Sequence, residues 1–351
     1  GLGDVYKRQR LKLEVDFFKR KRSGIPATPT DIIYPYEAGY SVQKQNLNSD
    51  QVSGIDGMVR WNDRVNDFNY FVGVNLTLAR QKTINNYGEV FLNGWDQYRW
   101  AQTNRWSNVK NGAVWMWETI GVFQTQEEID NYPVNIDGAN NVNLRPGDLI
   151  FKDVNGDGLI DDYDKRPLGY AATDYDWDSG NANKNPLLSM GINLGFEYKG
   201  IDFAADFAGG FMNTFIGDWH VKYGIGTDQM GYVYNVIDSW QHEDIFDTKS
   251  PWKRGKFPAV RSNNPSIRDW NDFYAKEINY LRLRNLVVGY TLPIKWTKKA
   301  LIQKLRVYFE GSNLLCWDSL NDFGFDPEIS SVTGFDYPQH KVYTVGVNVT
   351  F

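Results

Sequence analysis

Asp153, Asn155, Asp157, Asp161 and Asp164 place five oxygen-bearing side chains within twelve residues, DVNGDGLIDDYD. Counted from Asp153 they stand at positions 1, 3, 5, 9 and 12, with Gly158 at position 6, the ligand spacing of an EF-hand-type calcium loop. Oxygens at alternate positions can converge on one cation because the chain curls around it. The sixth residue must turn sharply, and glycine does so without strain. In this scheme Leu159 offers its backbone carbonyl, Asp161 binds directly or through water, and Ile160 points inward to pin the loop. Asp164 stands where a tight sensor loop has glutamate. Its shorter side chain reaches the ion less readily with both oxygens, so the expected affinity is weak, ~10⁻⁴ to 10⁻³ M. The same residues also make Asx turns with no metal. Four carboxylates at this spacing repel one another by roughly 0.7 kcal/mol per pair at about 6 Å in water. Lys152, Lys165 and Arg166 flank the loop and could neutralise part of that charge.

A second cluster lies upstream: Trp95, Tyr98, Trp100, Trp106, Trp115 and Trp117. Aromatic rings stack on the apolar faces of sugars, and they also fill the core of a large ordered loop. Trp95, Tyr98 and Trp100 are the first candidates for ligand contact. Signals for catalysis are poor. His220, His242 and His340 are far apart and show no HExxH or comparable metal spacing, and no GxSxG elbow, P-loop or GxGxxG is present. No enzyme activity is expected.

Composition narrows the class. A net charge of -5 and a pI near 5.4 argue against nucleic acid as a partner, because a phosphate-binding face needs a basic patch. Cys316 is the single cysteine, which rules out an intrachain disulfide framework; its expected role is that of a small buried hydrophobe. No apolar run reaches the ~18 to 20 residues of a membrane-spanning helix. Aromatic residues at 15%, with 13 tryptophans and 21 tyrosines, suit a β-rich protein with aromatic girdles or sugar-facing loops. A mean hydropathy of -0.52 fits a soluble protein and equally a barrel with a polar lumen and long loops. The opening decapeptide, GLGDVYKRQR (residues 1–10), has neither an apolar signal-peptide core nor strand alternation, and reads as a non-native scar on a chain whose natural N-terminus is missing.

The elements that must position these residues are strands. Leu11, Leu13, Val15 and Phe17 alternate with Lys12, Glu14 and Asp16, and Phe68, Tyr70, Val72, Val74, Leu76 and Leu78 alternate with Asn69, Gly73, Asn75 and Thr77. Further strands are expected at 55–62, at 188–198, after the Lys199-Gly200 hairpin turn at 201–207, at 280–291 with a bulge near Asn285, from Leu305, and at 343–351. Trp61, Tyr70, Tyr198, Tyr290 and Tyr343 fall near strand ends on the apolar side, as an interfacial girdle would. Asp202, Asp206, Glu310 and Asn348 fall on the opposite, lumenal side, solvated or paired with a plug. Short turns are expected at 63–67, 199–200 and 292–304, all at one end, and long loops at 23–53, 81–186, 212–277 and 315–341 at the other. Outer-membrane barrels show this asymmetry, with short periplasmic turns and long outer loops. About eight strands result.

Five stretches, GVFQTQEEIDNYP (121–133), PGDLIFKDVNGDGLIDDYDKRPLG (146–169), INYLRLRNLVVGYTLP (278–293), LRVYFEGSNLL (305–315) and FDPEI (325–329), occur in this order. With a terminal strand ending on Phe351, like an outer-membrane β-signal, they resemble the C-terminal part of the SusC/RagA-like TonB-dependent outer-membrane transporters. The resemblance covers most of residues 11–351. It implies an all-β fold: a transmembrane antiparallel β-barrel segment, the final third of a larger plugged barrel, with long extracellular loops. It further implies import of a bulky nutrient, glycan oligomers or peptides, across the Gram-negative outer membrane. A SusD-like surface lipoprotein, the TonB complex reached through an N-terminal part, and outer-membrane lipid are the implied partners. The competing reading is a secreted, soluble, calcium-stabilised, carbohydrate-binding β-sandwich, whose strands would bury their apolar faces against each other. A non-transporting adhesive barrel is a third.

Overall fold

A computed structural model describes residues 10–29, 41–85, 113–170, 186–216, 238–261, 264–267, 271–320, 326–328 and 339–351, together with Pro35, Glu37, Gly39 and Tyr87. In chain order the strands are β1 (Leu11–Ala27), β2 (Gln45–Val65), β3 (Phe68–Asn85), the short β4 (Ala113–Met116), β5 (Thr119–Val122), β6 (Leu149–Phe151) and β7 (Arg166–Tyr170), then β8 (Leu188–Tyr198), β9 (Ile201–Ile216), β10 (Gln241–His242), β11 (Trp252–Lys253), β12 (Ala275–Thr291), β13 (Lys304–Asp318) and β14 (Val342–Thr350). Eight of them form one sheet in the order β1-β2-β3-β8-β9-β12-β13-β14. Every neighbouring pair is antiparallel.

The register follows from the alternation. Leu13 stands opposite Val59, Val59 opposite Val74, Val74 opposite Ile192, Ile192 opposite Phe207, Phe207 opposite Leu283 and Leu283 opposite Leu315. A second row runs Tyr70, Phe196, Phe203, Val288, Phe309, Val345. Directly opposed residues share a face, and a slip of one residue would turn every apolar side chain to the other side. The sheet therefore presents one continuous apolar face. That face is open: Val72 is 44% exposed, Val347 57%, and Leu194 half-buried. A sandwich would seal these three side chains between two layers, so the soluble alternative does not fit.

Local chemistry sets the turns. Lys199 and Gly200 both have positive φ, 46° and 87°, as a two-residue primed hairpin turn requires. Asn66, at φ 57°, opens the β2–β3 turn. The expected bulge is present: both neighbours of β12 shift register between Leu283 and Asn285. Turns at 66–67, 199–200 and 292–303 share one end of the sheet, where Gln303 N also donates to Thr350 O at 2.8 Å. The long connections lie at the other end.

The strands outrun the expected loop boundaries. β1 continues to Ala27 and β2 begins at Gln45, so the first loop spans 28–44 instead of 23–53, and β3, β9 and β12 also lengthen. These extensions carried no apolar alternation because they project beyond the apolar band. A strand of 21 residues such as β2 reaches about 70 Å, well over the roughly 25 Å such a band needs. There the ladder is polar, and Arg22 Nε donates to Asp50 Oδ1 at 2.8 Å across it. Cys316 is half-buried, not sealed, because it sits opposite Arg282 on the polar face of the sheet.

Candidate functional site

The described parts of the two longest insertions fold into one body above the wall. Trp117, Phe123, Ile129, Ile136, Leu144, Leu149, Phe151 and Ile160 from the first pack with Phe257 and Tyr274 from the second. Polar ties cross the same boundary: Leu149 N donates to Ser266 Oγ at 2.7 Å, and Thr119 N to Asp272 Oδ1 at 2.8 Å. Asp148 is fully buried and takes both arms of Arg261, one at 2.9 Å. A buried carboxylate is tolerable when paired in this bidentate way. The short helix Gln126–Asp130 belongs to this body; Thr125 caps it by accepting from Glu128 N at 3.2 Å, and Ile129 is its buried residue.

The calcium-like loop stands on this core. Ile160 is buried, as its inward role requires, and its N–H donates to Asn135 O at 3.0 Å. Gly158 has φ 81° with open space around it, so glycine is needed there for backbone conformation and not for room. Asp153 accepts from Gly156 N at 2.6 Å through Oδ1 and from Gly158 N at 2.8 Å through Oδ2. Asp157 Oδ1 accepts from Leu159 N at 2.8 Å, and Asn155 Nδ2 donates to Asp157 Oδ2 at 2.8 Å. Asp161 Oδ1 accepts from Tyr163 N at 2.7 Å. Asp164, fully buried, accepts from Val154 N at 2.8 Å and from Asp161 N at 2.9 Å. Trp117 braces the exit of the loop, its Nε1 donating to Asp161 O at 2.7 Å.

Its electrostatics are those of crowded carboxylates. Burial pushes the Asp161 and Asp164 carboxyls above the ordinary range against the pull of their backbone hydrogen bonds. The charges of Asp157, Asp162 and Asp153 add to the rise at Asp161, and that of Asp153 to the rise at Asp164. Of the flanking cations, Lys165 pairs with a carboxylate of the loop, Asp162, at 2.7 Å, whereas Lys152 and Arg166 converge on Glu118 outside it at 3.1 and 2.6 Å. Among the described residues no group of three His, Cys, Asp or Glu side chains already stands in a metal-binding cluster. Each carboxylate oxygen that accepts a single backbone N–H here keeps a second lone pair.

Trp95, Tyr98 and Trp100 lie outside the described residues, as does Trp106. Trp117 is 3% exposed and its ring lies 5.2 Å from that of Phe151, tilted by 45°, which makes it a core residue of the loop. The five girdle aromatics do share the apolar face, and Trp61 Nε1 donates to the Tyr70 hydroxyl at 3.3 Å.

The polar face carries contacts that sequence reasoning missed. Asp202 is paired within the chain, to Arg306, and Asp206 accepts from Asn193 Nδ2 at 2.7 Å. Arg282 holds both oxygens of Asp326 at 2.7 Å, and its Nε lies 2.8 Å from Glu328, which also pairs with Arg284. Arg282 and Arg284 thus clasp Asp326 and Glu328, each pair 44 residues apart in the chain. The signal was there: two arginines two residues apart, and two carboxylates at the same spacing.

A strongly registered antiparallel wall, apolar on one side and polar on the other, with a folded outer body at one end, defines a segment of a membrane-type β-barrel. Comparison with known proteins narrows the kind. The chain is 24% identical over 373 residues to TonB-dependent receptor P3 of Formosa agariphila, covering 97% of this chain and 32% of that protein. TonB-dependent receptor P39 of the same organism is 23% identical over 393 residues, covering 98% and 34%. Among solved structures, that of the RagAB peptide transporter superposes with a TM-score of 0.61 at 22% identity, covering 97% of this chain and 34% of that one. The RagAB importer in its open-open state gives 0.62 at 21% identity. No family model matches the chain. The resemblance to TonB-dependent receptors of the SusC/RagA kind therefore extends along nearly all of these residues, and the chain spans about a third of the length of those relatives. By name the relatives are receptors and transporters, not enzymes.

Proposed function

We propose that the chain supplies barrel wall and outer loops to a TonB-dependent importer that brings a bulky nutrient, a glycan oligomer or a peptide, across the outer membrane. The observation that carries this is the unbroken apolar face, open on residues such as Val72 and Val347, on a sheet whose long connections all gather at one end. Names of the relatives support it, and RagAB is a peptide transporter. The partners that go with this reading are a SusD-like surface lipoprotein over the outer body, the TonB complex reached through a part outside these 351 residues, and outer-membrane lipid. Ligand contact is assigned to Trp95, Tyr98 and Trp100, whose rings suit a sugar or an aromatic peptide side chain. Deleting the complete receptor gene should abolish energy-dependent uptake of one of the two nutrient classes. Alanine at all three aromatic positions should weaken ligand binding while leaving the barrel folded; uptake and affinity equal to wild type would remove these residues from the ligand site.

Calcium at 153–164 is part of the same proposal. Asp153, Asn155, Asp157, the Leu159 carbonyl, Asp161 and Asp164 would hold it, and its charge would offset the burial and the lesser carboxylate repulsion that raise Asp161 and Asp164. Its work would be structural, fixing the fold of the outer body. Calorimetric titration of chelator-treated protein with millimolar calcium tests it: heat and a rise in melting temperature are expected, and the absence of both refutes the site.

A further inference from the structure

The connection between β12 and β13 is built unlike the two-residue turns beside it. From Leu292 to Lys304, LPIKWTKKALIQK, it holds four lysines and no carboxylate. One helical turn, Ile294–Thr297, runs into a 3-10 turn, Lys298–Ala300, which Leu301 ends in the left-handed region at φ 58°. Thr297 is the buried anchor, and Ile302 N donates back to Thr297 O at 3.3 Å. On this ordered frame Trp296 is 67% exposed, Leu301 83% and Ile294 58%.

The flanking strands carry the apolar face up to this segment, while Lys304 itself, opposite Thr350, lies on the polar side. Leu292 N donates to Leu305 O at 2.8 Å, and Leu305 stands opposite Val349 in the same alternating set as Val347. The adjacent hairpin is tied in by Thr291 N, which donates to Gly200 O at 2.7 Å, and brings Lys199 with Asp67 as its acidic neighbour. Apolar side chains presented beside clustered lysines, at the rim of a membrane-facing sheet, match the chemistry of a bilayer interface. The cationic excess favours anionic headgroups over zwitterionic ones.

We propose that residues 292–304 are an interfacial anchor: Trp296 and Leu301 enter the headgroup boundary, and Lys295, Lys298 and Lys299 bind the phosphates of anionic phospholipids. The proposal rests on reading the sheet as outer-membrane wall. It is tested with the complete receptor in nanodiscs of phosphatidylcholine with and without phosphatidylglycerol, retained lipid being counted by native mass spectrometry. Wild type should retain phosphatidylglycerol in preference to phosphatidylcholine, and K295E/K298E/K299E should cut that preference by about tenfold. K295Q/K298Q/K299Q, a milder change, should cut it less, and W296S/L301S should lower retention of both lipids. Equal retention of the two lipids by wild type, or an unchanged preference in both lysine variants, overturns the proposal. So does a variant that keeps its lipid but loses a second copy of the chain or a co-purifying protein, because the turn is then a protein interface. A receptor that is monodisperse without detergent or lipid fails the barrel reading itself, and that outcome is told apart by a simple sizing measurement.

Discussion

Arg306 reaches across a strand to Asp202, its Nε donating to Oδ1 at 2.9 Å, and the two side chains meet directly over Gly289. Asp202 lies opposite Gly289 on one side, and Arg306 lies diagonal to Gly289 on the other, so a residue of β9 and one of β13 are joined with β12 passing beneath. A Cβ at 289 would lie 2.5 Å from both Asp202 oxygens and 2.6 Å from Arg306 Nε. Gly289 is there so that the polar face can be bridged.

Gly289→Ala should therefore displace the pair and lower stability by about 1 kcal/mol, the scale of a partly exposed ion pair. Arg306→Gln should cost a similar amount, and the double variant little more than either alone. Loss of the fast-migrating folded band on heating, in unboiled gel electrophoresis of the complete receptor, measures it; additive shifts would show that the glycine and the pair are unrelated.

Arg282 is a harsher case. It is buried and serves Asp326 and Glu328 together, so Arg282→Ala leaves Asp326 without its cation and Glu328 with Arg284 alone. A loss of about 3 to 5 kcal/mol is expected. Asp326→Asn, which keeps the shape and one acceptor, should cost clearly less. Limited proteolysis near residues 320–340 should rise in parallel with the first and hardly with the second.

The acidic loop should respond to pH in a definite sense. A carboxyl whose value is raised in the folded state binds its proton there more readily than in the unfolded chain, so it weighs against folding at neutral pH. That penalty is complete above the raised values of Asp161 and Asp164 and fades as pH falls toward the ordinary carboxylate range. Metal-free protein should hence gain local stability on mild acidification, as read by hydrogen exchange at residues 153–164. Millimolar calcium should protect the same amides at neutral pH and lose its effect in acid, because the ligands must be ionised. Protection that falls with acid in the metal-free state would contradict this sign.

Ile160 links this loop to the core of the outer body. Ile160→Ala should cost about 2 to 5 kcal/mol of that body's stability, since it empties a fully buried site. Trp117→Phe removes the hydrogen bond to Asp161 O together with part of a buried ring, and should cost about 1 to 3 kcal/mol. Near-ultraviolet circular dichroism of the outer body follows both, and the sheet signal in the far ultraviolet should stay as it is.

Alternation made the wall readable. An apolar residue at every second place, as in Phe68 to Leu78 or Tyr343 to Val349, has one arrangement that puts all its side chains on one side, so about eight strands, the face each side chain takes and the bulge near Asn285 followed from the residues. The polar stretches of β1 and β2 beyond the apolar band were not readable, because with water on both faces no periodicity is imposed. The metal spacing at 153–164 was equally plain as a pattern, and Ile160 and Gly158 play the parts assigned to them. Where Trp117 would end up was open, since the same ring suits a ligand or a core.

What the sequence determined by itself was everything governed by neighbours along the chain: strand phase, the Lys199-Gly200 turn, the side of the sheet on which each residue lies. What only the tertiary structure decided was everything joined through space across long separations. The two outer insertions share one core, Arg306 finds Asp202, and Arg282 and Arg284 find Asp326 and Glu328. The reason is physical: a strand's pleat constrains residues two apart, but which charge meets which is chosen by packing among strands that the chain order brings together only after the sheet has formed.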